Sequence, residues 1–273
     1  MKFQALALLP AAWVGAFVAG AAAVPPAIAP TFIRTEIEAA KVMTLVGCVA
    51  AARAFSPGDY LRRAWVVLGG CWVLLLARDA LFLGLPRGAL VAGVPIENVM
   101  AALATGANVL GVVSTFMIAK AWHVAGLELP GKPAQRAVAM ALWVALSVAI
   151  TGRAALNDGR LLFAGEVPAL VGLSSAVCDL LSMCLVAPVL FTALALRGGR
   201  LRWPWAFMTA SLLFWLFYDA GHVLAQALGL SEFAERVLRE SFRGLACLYS
   251  FSAGVAQALA LREPVSPRPP RAA

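Results

Sequence analysis

Two aspartates stand at the same place in two similar apolar stretches. Residues 61–80 read LRRAWVVLGGCWVLLLARDA and residues 201–220 read LRWPWAFMTASLLFWLFYDA. At an offset of 140 positions, without a gap, Leu61, Arg62, Trp65, Leu76, Asp79 and Ala80 match Leu201, Arg202, Trp205, Leu216, Asp219 and Ala220. An ionised group inside an apolar span costs about 2.5–3.5 kcal/mol on insertion scales, so it turns toward the protein interior and a partner. Carboxylates so placed can hold a cation, relay protons, act as acid and base, or pin helices together through ion pairs.

Other polar residues fall at similar depth. Arg34, Glu36, Glu38, Lys41, Arg78, Glu97 and Asn98 do so before the midpoint of the chain, and Glu166, Asp179, Tyr218, His222, Arg239, Glu240 and Arg243 after it. The candidate polar pocket is drawn from Glu38, Arg78, Asp79, Glu97, Asn98, Asp179, Tyr218, Asp219, His222, Glu240 and Arg243. Asp179 is the deepest acid, some 13 residues beyond Glu166, and is expected to be interior and paired. His222 follows Asp219 by three positions, on the same helix face, and is expected to make a polar contact with it. Glu232/Arg236, Glu235/Arg239 and Arg236/Glu240 are spaced to form ion pairs on one helix.

The motifs of several chemistries are missing. The sequence holds no HExxH, GxSxG, phosphate-binding loop or Gly-rich dinucleotide fingerprint. Its two histidines, His123 and His222, fall at opposite ends of their spans, which excludes a bis-histidine haem. Cys48, Cys71, Cys178, Cys184 and Cys247 all lie inside spans with no CxxC pair, and read as small buried apolar residues. No cofactor and no metal site are expected.

The elements that position these residues follow from composition. Of 273 residues 62% are hydrophobic and 13% charged, about half the charge of a soluble domain. Apolar runs of about 20 residues recur along the chain, which predicts an all-α polytopic membrane protein. The net charge of +8 is not read as nucleic-acid binding, because Lys and Arg sit in short loops beside apolar runs. The bilayer is the one partner expected outright, a small polar solute or protons are the candidate ligands, and the sequence does not identify a protein partner.

Eight spans are predicted. The first, about 3–24, is read as a retained helix rather than a signal peptide, and Pro25, Pro26 and Pro30 break the chain after it. Three more run over about 36–55, 61–83 and 97–122. The segment LPGKP (129–133) joins the halves. The fifth, 134–155, ends at the polar loop 157–160. The sixth, 167–196, is kinked by Pro188. The seventh is about 203–228, and the eighth, with Ser231 as N-cap, ends near 261. One transmembrane domain thus covers 1–262, in halves of about 3–123 and 134–262, and a Pro-rich tail, 263–273, is expected to be disordered and cytoplasmic.

With the N-terminus inside, thirteen Lys and Arg fall on the inner side and nine on the outer, while only three of fourteen acids fall inside. That predicts an inner-membrane protein with both termini cytoplasmic. Four spans per half is an even number, so the halves are expected to be parallel repeats about an axis along the membrane normal. Three classes of function remain. The first is non-enzymatic binding or translocation of a small polar or cationic solute, or protons, through an outer-facing acidic pocket. The second is a sensor, assembly or accessory subunit with purely structural ion pairs. The third, an intramembrane enzyme, lacks a nucleophile or metal motif.

Overall fold

A computed structural model of the chain describes residues 2–86, 88–166, 169–196 and 199–262. Among the described residues nine helices form. They are α1 (Lys2–Ala23), α2 (Ala29–Ala54), α3 (Tyr60–Gly84), α4 (Ile96–Val124), α5 (Pro133–Phe163), α6 (Ala169–Cys184), α7 (Val186–Ala195), α8 (Arg202–Ala227) and α9 (Glu232–Arg262). Seven stretches are long and apolar enough to cross a membrane: α1, α3, α4, the first two-thirds of α5, α6 with α7, α8 and α9. By length and composition this is an all-α, multi-pass membrane protein. α2 is not among the seven, because Arg34, Glu36, Glu38 and Lys41 crowd its first half. The Pro-rich tail and the expected start of the sixth span at Val167 lie outside the described residues.

Local chemistry explains where the helices depart from expectation. Pro30 occupies the first turn of α2 instead of the preceding loop; a residue without an N–H is tolerated there, where the N–H has no intrahelical partner. The polar segment 157–160 is helical, and α5 continues to Phe163 before Gly165, at φ 94°, turns the chain. The 84–95 loop contains a hairpin, β1 (Leu90–Val91) paired antiparallel with β2 (Val94–Pro95). Its turn residues Ala92 and Gly93 both have positive φ, as a tight two-residue connection requires. The expected kink near Pro188 is a break between α6 and α7 at Leu185. There Trp143 of α5 donates its indole N–H to the Met183 carbonyl at 2.6 Å, so a neighbouring helix takes up a backbone acceptor at the interruption.

α9 is the most buried helix, packed on α1, α2 and α8. Hydroxyls bridge it to each: Thr44 to the Cys247 carbonyl (2.8 Å), Ser211 to that of Ala246 (2.7 Å), and Ser252 to that of Leu6 (3.0 Å). α2 and α9 run parallel and touch through Gly47 and Gly254, where a Cβ on Gly47 would lie 2.8 Å from Phe251 Cα and one on Gly254 would strike the Gly47 carbonyl. α3 packs antiparallel on α4, and α8 antiparallel on α9. α4 in turn meets α6 in parallel, with Thr105 and Ser174 3.3 Å apart, while α5 packs on the outside of α6. Across the middle, Trp72 of α3 stacks on Trp215 of α8 (6.3 Å, 30°), and Trp65 and Trp205 line one small cavity at the other end of the same helices.

Candidate functional site

The end of the bundle where α3 and α8 finish holds a cleft of about 520 Å³ between α2, α3, α4, α6 and α9. Its floor is an ion-pair network. Glu38 and Lys41 lie one turn apart on α2, so they share a face, and that face meets α3 opposite Asp79. Lys41 Nζ donates to Glu38 Oε1 at 2.7 Å and to Asp79 Oδ2 at 2.6 Å. Arg78 closes on the other oxygen, with Nε 2.8 Å and Nη2 2.6 Å from Asp79 Oδ1. Lys41 is only 4% exposed, so its ammonium is held by these carboxylates and not by water. Glu97 stands at the rim, where its Oε1 accepts the Gly88 N–H at 2.8 Å.

The opposite wall comes from α9, braced from behind by α8. Arg243 donates to both oxygens of Glu240 (3.2 and 3.1 Å) and to Tyr218 Oη (2.7 Å). The Arg239 and Arg243 guanidiniums lie 4.8 and 4.6 Å from the centre of the Tyr218 ring. A tyrosine that presents both its face and its hydroxyl holds two arginines together despite their like charge.

The cleft is not the acidic pocket expected from sequence. Five basic side chains, Arg34, Lys41, Arg78, Arg236 and Arg243, line it with four acidic ones, Glu38, Asp79, Glu97 and Glu240. The acids alternate with bases because low-dielectric surroundings make an unpaired charge costly.

About one turn deeper on α3 and α4 lies a second cavity, of about 140 Å³. α6 and α8 complete its walls. Asp179 and Asp219 both line it, and both are within electrostatic reach of each other. Ser175 approaches Asp179 Oδ2 at 3.4 Å. Among the described residues Asp219 accepts no hydrogen bond and neither aspartate forms an ion pair, although Arg239 and Arg243 act on Asp219 from a distance. Asn108 of α4 also lines this cavity without a hydrogen-bond partner among the described residues, and Trp72, 3% exposed, does so with its indole Nε1 buried and, among those residues, unbonded. Thr115, Ser182, Ser211 and Ser250 add hydroxyls to the lining, and the remainder is largely apolar, including Leu68, Leu75, Met183 and Met208.

The candidate residues therefore divide. Glu38, Arg78, Asp79, Glu97, Glu240 and Arg243 meet at the cleft, Asp179 and Asp219 meet in the inner cavity, and Tyr218 braces Arg243. Asn98 is exposed and lines neither space. His222 does not bond to Asp219: its Nδ1 is 2.7 Å from Glu235 Oε1 and its Nε2 2.8 Å from Gln226 Nε2, on an exposed face. Of the three expected ion pairs on α9 only Glu235 and Arg239 approach, at 3.9 Å. Sequence reasoning named Lys41 among the polar residues at this depth without drawing it into the pocket, and left out Trp72 and Asn108. Lys41 was detectable by its position one turn after Glu38, whereas nothing in the sequence separates Trp72 from an ordinary core tryptophan.

Among the described residues no group of three or more His, Cys, Asp and Glu side chains is placed to hold a metal ion. Comparison with protein-family models, with curated proteins and with solved structures finds no match to the chain.

Proposed function

We propose that the protein is an inner-membrane protein of eight spans, both termini cytoplasmic, that binds or translocates a small polar or cationic solute, or protons. α2 is the additional span, with Arg34, Glu38 and Lys41 lining the cleft and Glu36 accepting the Trp13 indole N–H at 3.2 Å. The cleft is the outer entrance and the Asp179–Asp219 cavity the binding place. The observation that carries this reading is the cavity itself, where two carboxylates from different helices share a narrow space and neither is in contact with a base among the described residues. Like charges so placed repel strongly at low dielectric, and an entering cation or proton relieves that repulsion.

Two parallel four-helix halves are part of the proposal. The parallel pair α2 and α9 has its counterpart in the parallel pair α4 and α6, and the antiparallel pair α3 and α4 its counterpart in α8 and α9. One mismatch stands: α1 packs on α9, but α5 packs on α6 and not on α4.

Purified protein in liposomes is expected to show solute-coupled ion or proton flux that falls in Asp219→Asn. Absence of flux across a broad panel of solutes and ions, with Asp79→Asn and Asp219→Asn unchanged from the parent, overturns the reading. A second reading, a sensor, assembly or accessory subunit, is favoured by the cleft, whose acids Glu38, Asp79 and Glu240 all contact bases. It predicts a stoichiometric protein partner that co-purifies and is lost on Arg78→Ala.

A further inference from the structure

The cleft holds two bases that no acid answers. Lys41 and Arg78 are taken up by Glu38 and Asp79, and Arg243 by Glu240. Arg34 of α2 and Arg236 of α9 line the same cleft, and among the described residues neither forms an ion pair or a hydrogen bond. Both residues are exposed. The nearby acids are engaged or out of reach. Glu36 accepts the Trp13 indole N–H, Glu240 holds Arg243, and Glu97 accepts the Gly88 N–H. Glu232, one turn before Arg236, forms no ion pair with it.

The packing of α2 on α9 brings these two arginines to one level. The helices are parallel, and Thr44 of α2 donates to the Cys247 carbonyl of α9. Arg34 stands ten positions before Thr44 and Arg236 eleven before Cys247. Their heights therefore differ by one residue rise, about 1.5 Å. Ile33 and Val237, their neighbours in sequence, pack in one apolar cluster. The Arg34 guanidinium lies 5.1 Å from the centre of the Phe82 ring of α3, which restrains it without supplying an acceptor oxygen. α2 and α9 both begin at this end, so the positive ends of two helix dipoles add to the field.

We infer that the cleft binds a phosphate monoester or free phosphate, its oxygens shared between the Arg34 and Arg236 guanidiniums. A planar guanidinium presents its N–H donors as a fork. A carboxylate has two oxygens and satisfies one such fork, whereas a phosphoryl group has enough to bridge two. The cleft, at about 520 Å³, extends past the arginines along Ile37, Leu83, Met100 and Val171. The phosphomonoester headgroup of a lipid and a water-soluble phosphate share the chemistry that the arginines recognise.

The inference does not rest on the cation reading above. Calorimetric titration and thermal unfolding of the full chain in an uncharged detergent would use inorganic phosphate, dioctanoylphosphatidic acid, dioctanoylglycerol, sodium acetate and sodium chloride at constant ionic strength and pH. At least one of the two phosphate probes is expected to bind about tenfold more tightly than acetate, or better, and to raise the melting temperature above that in chloride. Binding of inorganic phosphate supports the inference with a water-soluble source. Binding of the phosphatidic acid alone supports it with a lipid source, and an affinity matched by dioctanoylglycerol counts as no binding. Arg34→Gln and Arg236→Gln are each expected to weaken the binding about tenfold. Arg62→Gln, at the other end of α3 and outside the cleft, is expected to leave it unchanged. Failure of both phosphate probes, equal binding of acetate, or an equal loss in Arg62→Gln overturns the inference, and the ligand series on the parent protein decides this even if a variant does not fold. Flux that depends on Asp219 without phosphate binding overturns this inference alone. Phosphate binding without flux leaves it standing while the transport reading falls.

Discussion

Lys41 Nζ lies 2.6 Å from Asp79 Oδ2 across the seam between α2 and α3, and Lys41 is almost wholly shielded from water. A buried pair of this kind adds little over a well-packed apolar pair but is costly to halve. Lys41→Met should therefore destabilise the protein by about 3–5 kcal/mol, because it strands Glu38 and half of Asp79. The double variant Lys41→Met/Asp79→Leu should recover part of the loss. Thermal unfolding in detergent measures both, and a Lys41→Met protein that melts with the parent would refute the structural weight given to this contact.

The crossing of α2 and α9 leaves no space for a methyl group. At Gly47 and Gly254 the obstructing atoms are backbone, which cannot rotate aside. Gly47→Ala and Gly254→Ala should each cost about 1–3 kcal/mol or more through overpacking. Gly15→Ala is the control: nothing lies within 4 Å of its added methyl, and alanine is the better helix former by up to about 1 kcal/mol. Equal melting temperatures for all three would contradict the close approach.

Trp143 and Met183 tie α5 to the helix interruption. Trp143→Phe keeps most of the ring but removes the donor, and should cost about 1–3 kcal/mol. Hydrogen exchange is expected to quicken around residues 184–189, at the start of α7, more than elsewhere in the bundle. Uniform exchange across α6 and α7 would show that the indole does not stabilise the break.

Tyr218 offers two separable interactions. Tyr218→Phe loses the bond from Arg243 and should cost about 1.5–3 kcal/mol, since the donor is charged. Tyr218→Leu also loses the ring beneath both guanidiniums and should cost about 1 kcal/mol more. Identical losses in the two variants would remove the role assigned to the aromatic face.

Much of this fold can be read from the residues, and the exceptions have physical causes. Periodic apolar length marks α3 and α4 to within two residues of the predicted spans, and Ser231 caps α9 by accepting the Ala234 N–H at 3.3 Å. The interruption near Pro188 follows from a missing backbone donor. Where polarity alone marked a loop, as at 157–160, the helix continued, because charged and amide side chains are at home on its exposed surface. The site was legible as a set of buried acids but not in its partition into a balanced cleft and an unbalanced cavity. That partition depends on which helices become neighbours. Glu38 lies one turn from Lys41 on its own helix, but Asp179 finds Asp219 only after α6 and α8 have packed, and His222 turns to Glu235 only because α9 runs antiparallel beside it.

The burial of α9 bears on how the protein is made. α2 is too charged to partition readily into lipid alone, yet it leaves the ribosome long before α9, the helix that receives its Thr44 hydroxyl and closes over Gly47. In the interval Glu38 on α2 itself and Asp79 on α3, the next helix in the chain, are the carboxylates that pair with Lys41. Substitutions along the Gly47–Gly254 seam should therefore lower the yield of inserted protein as well as its heat resistance, and should leave behind a species that membrane quality-control proteases recognise.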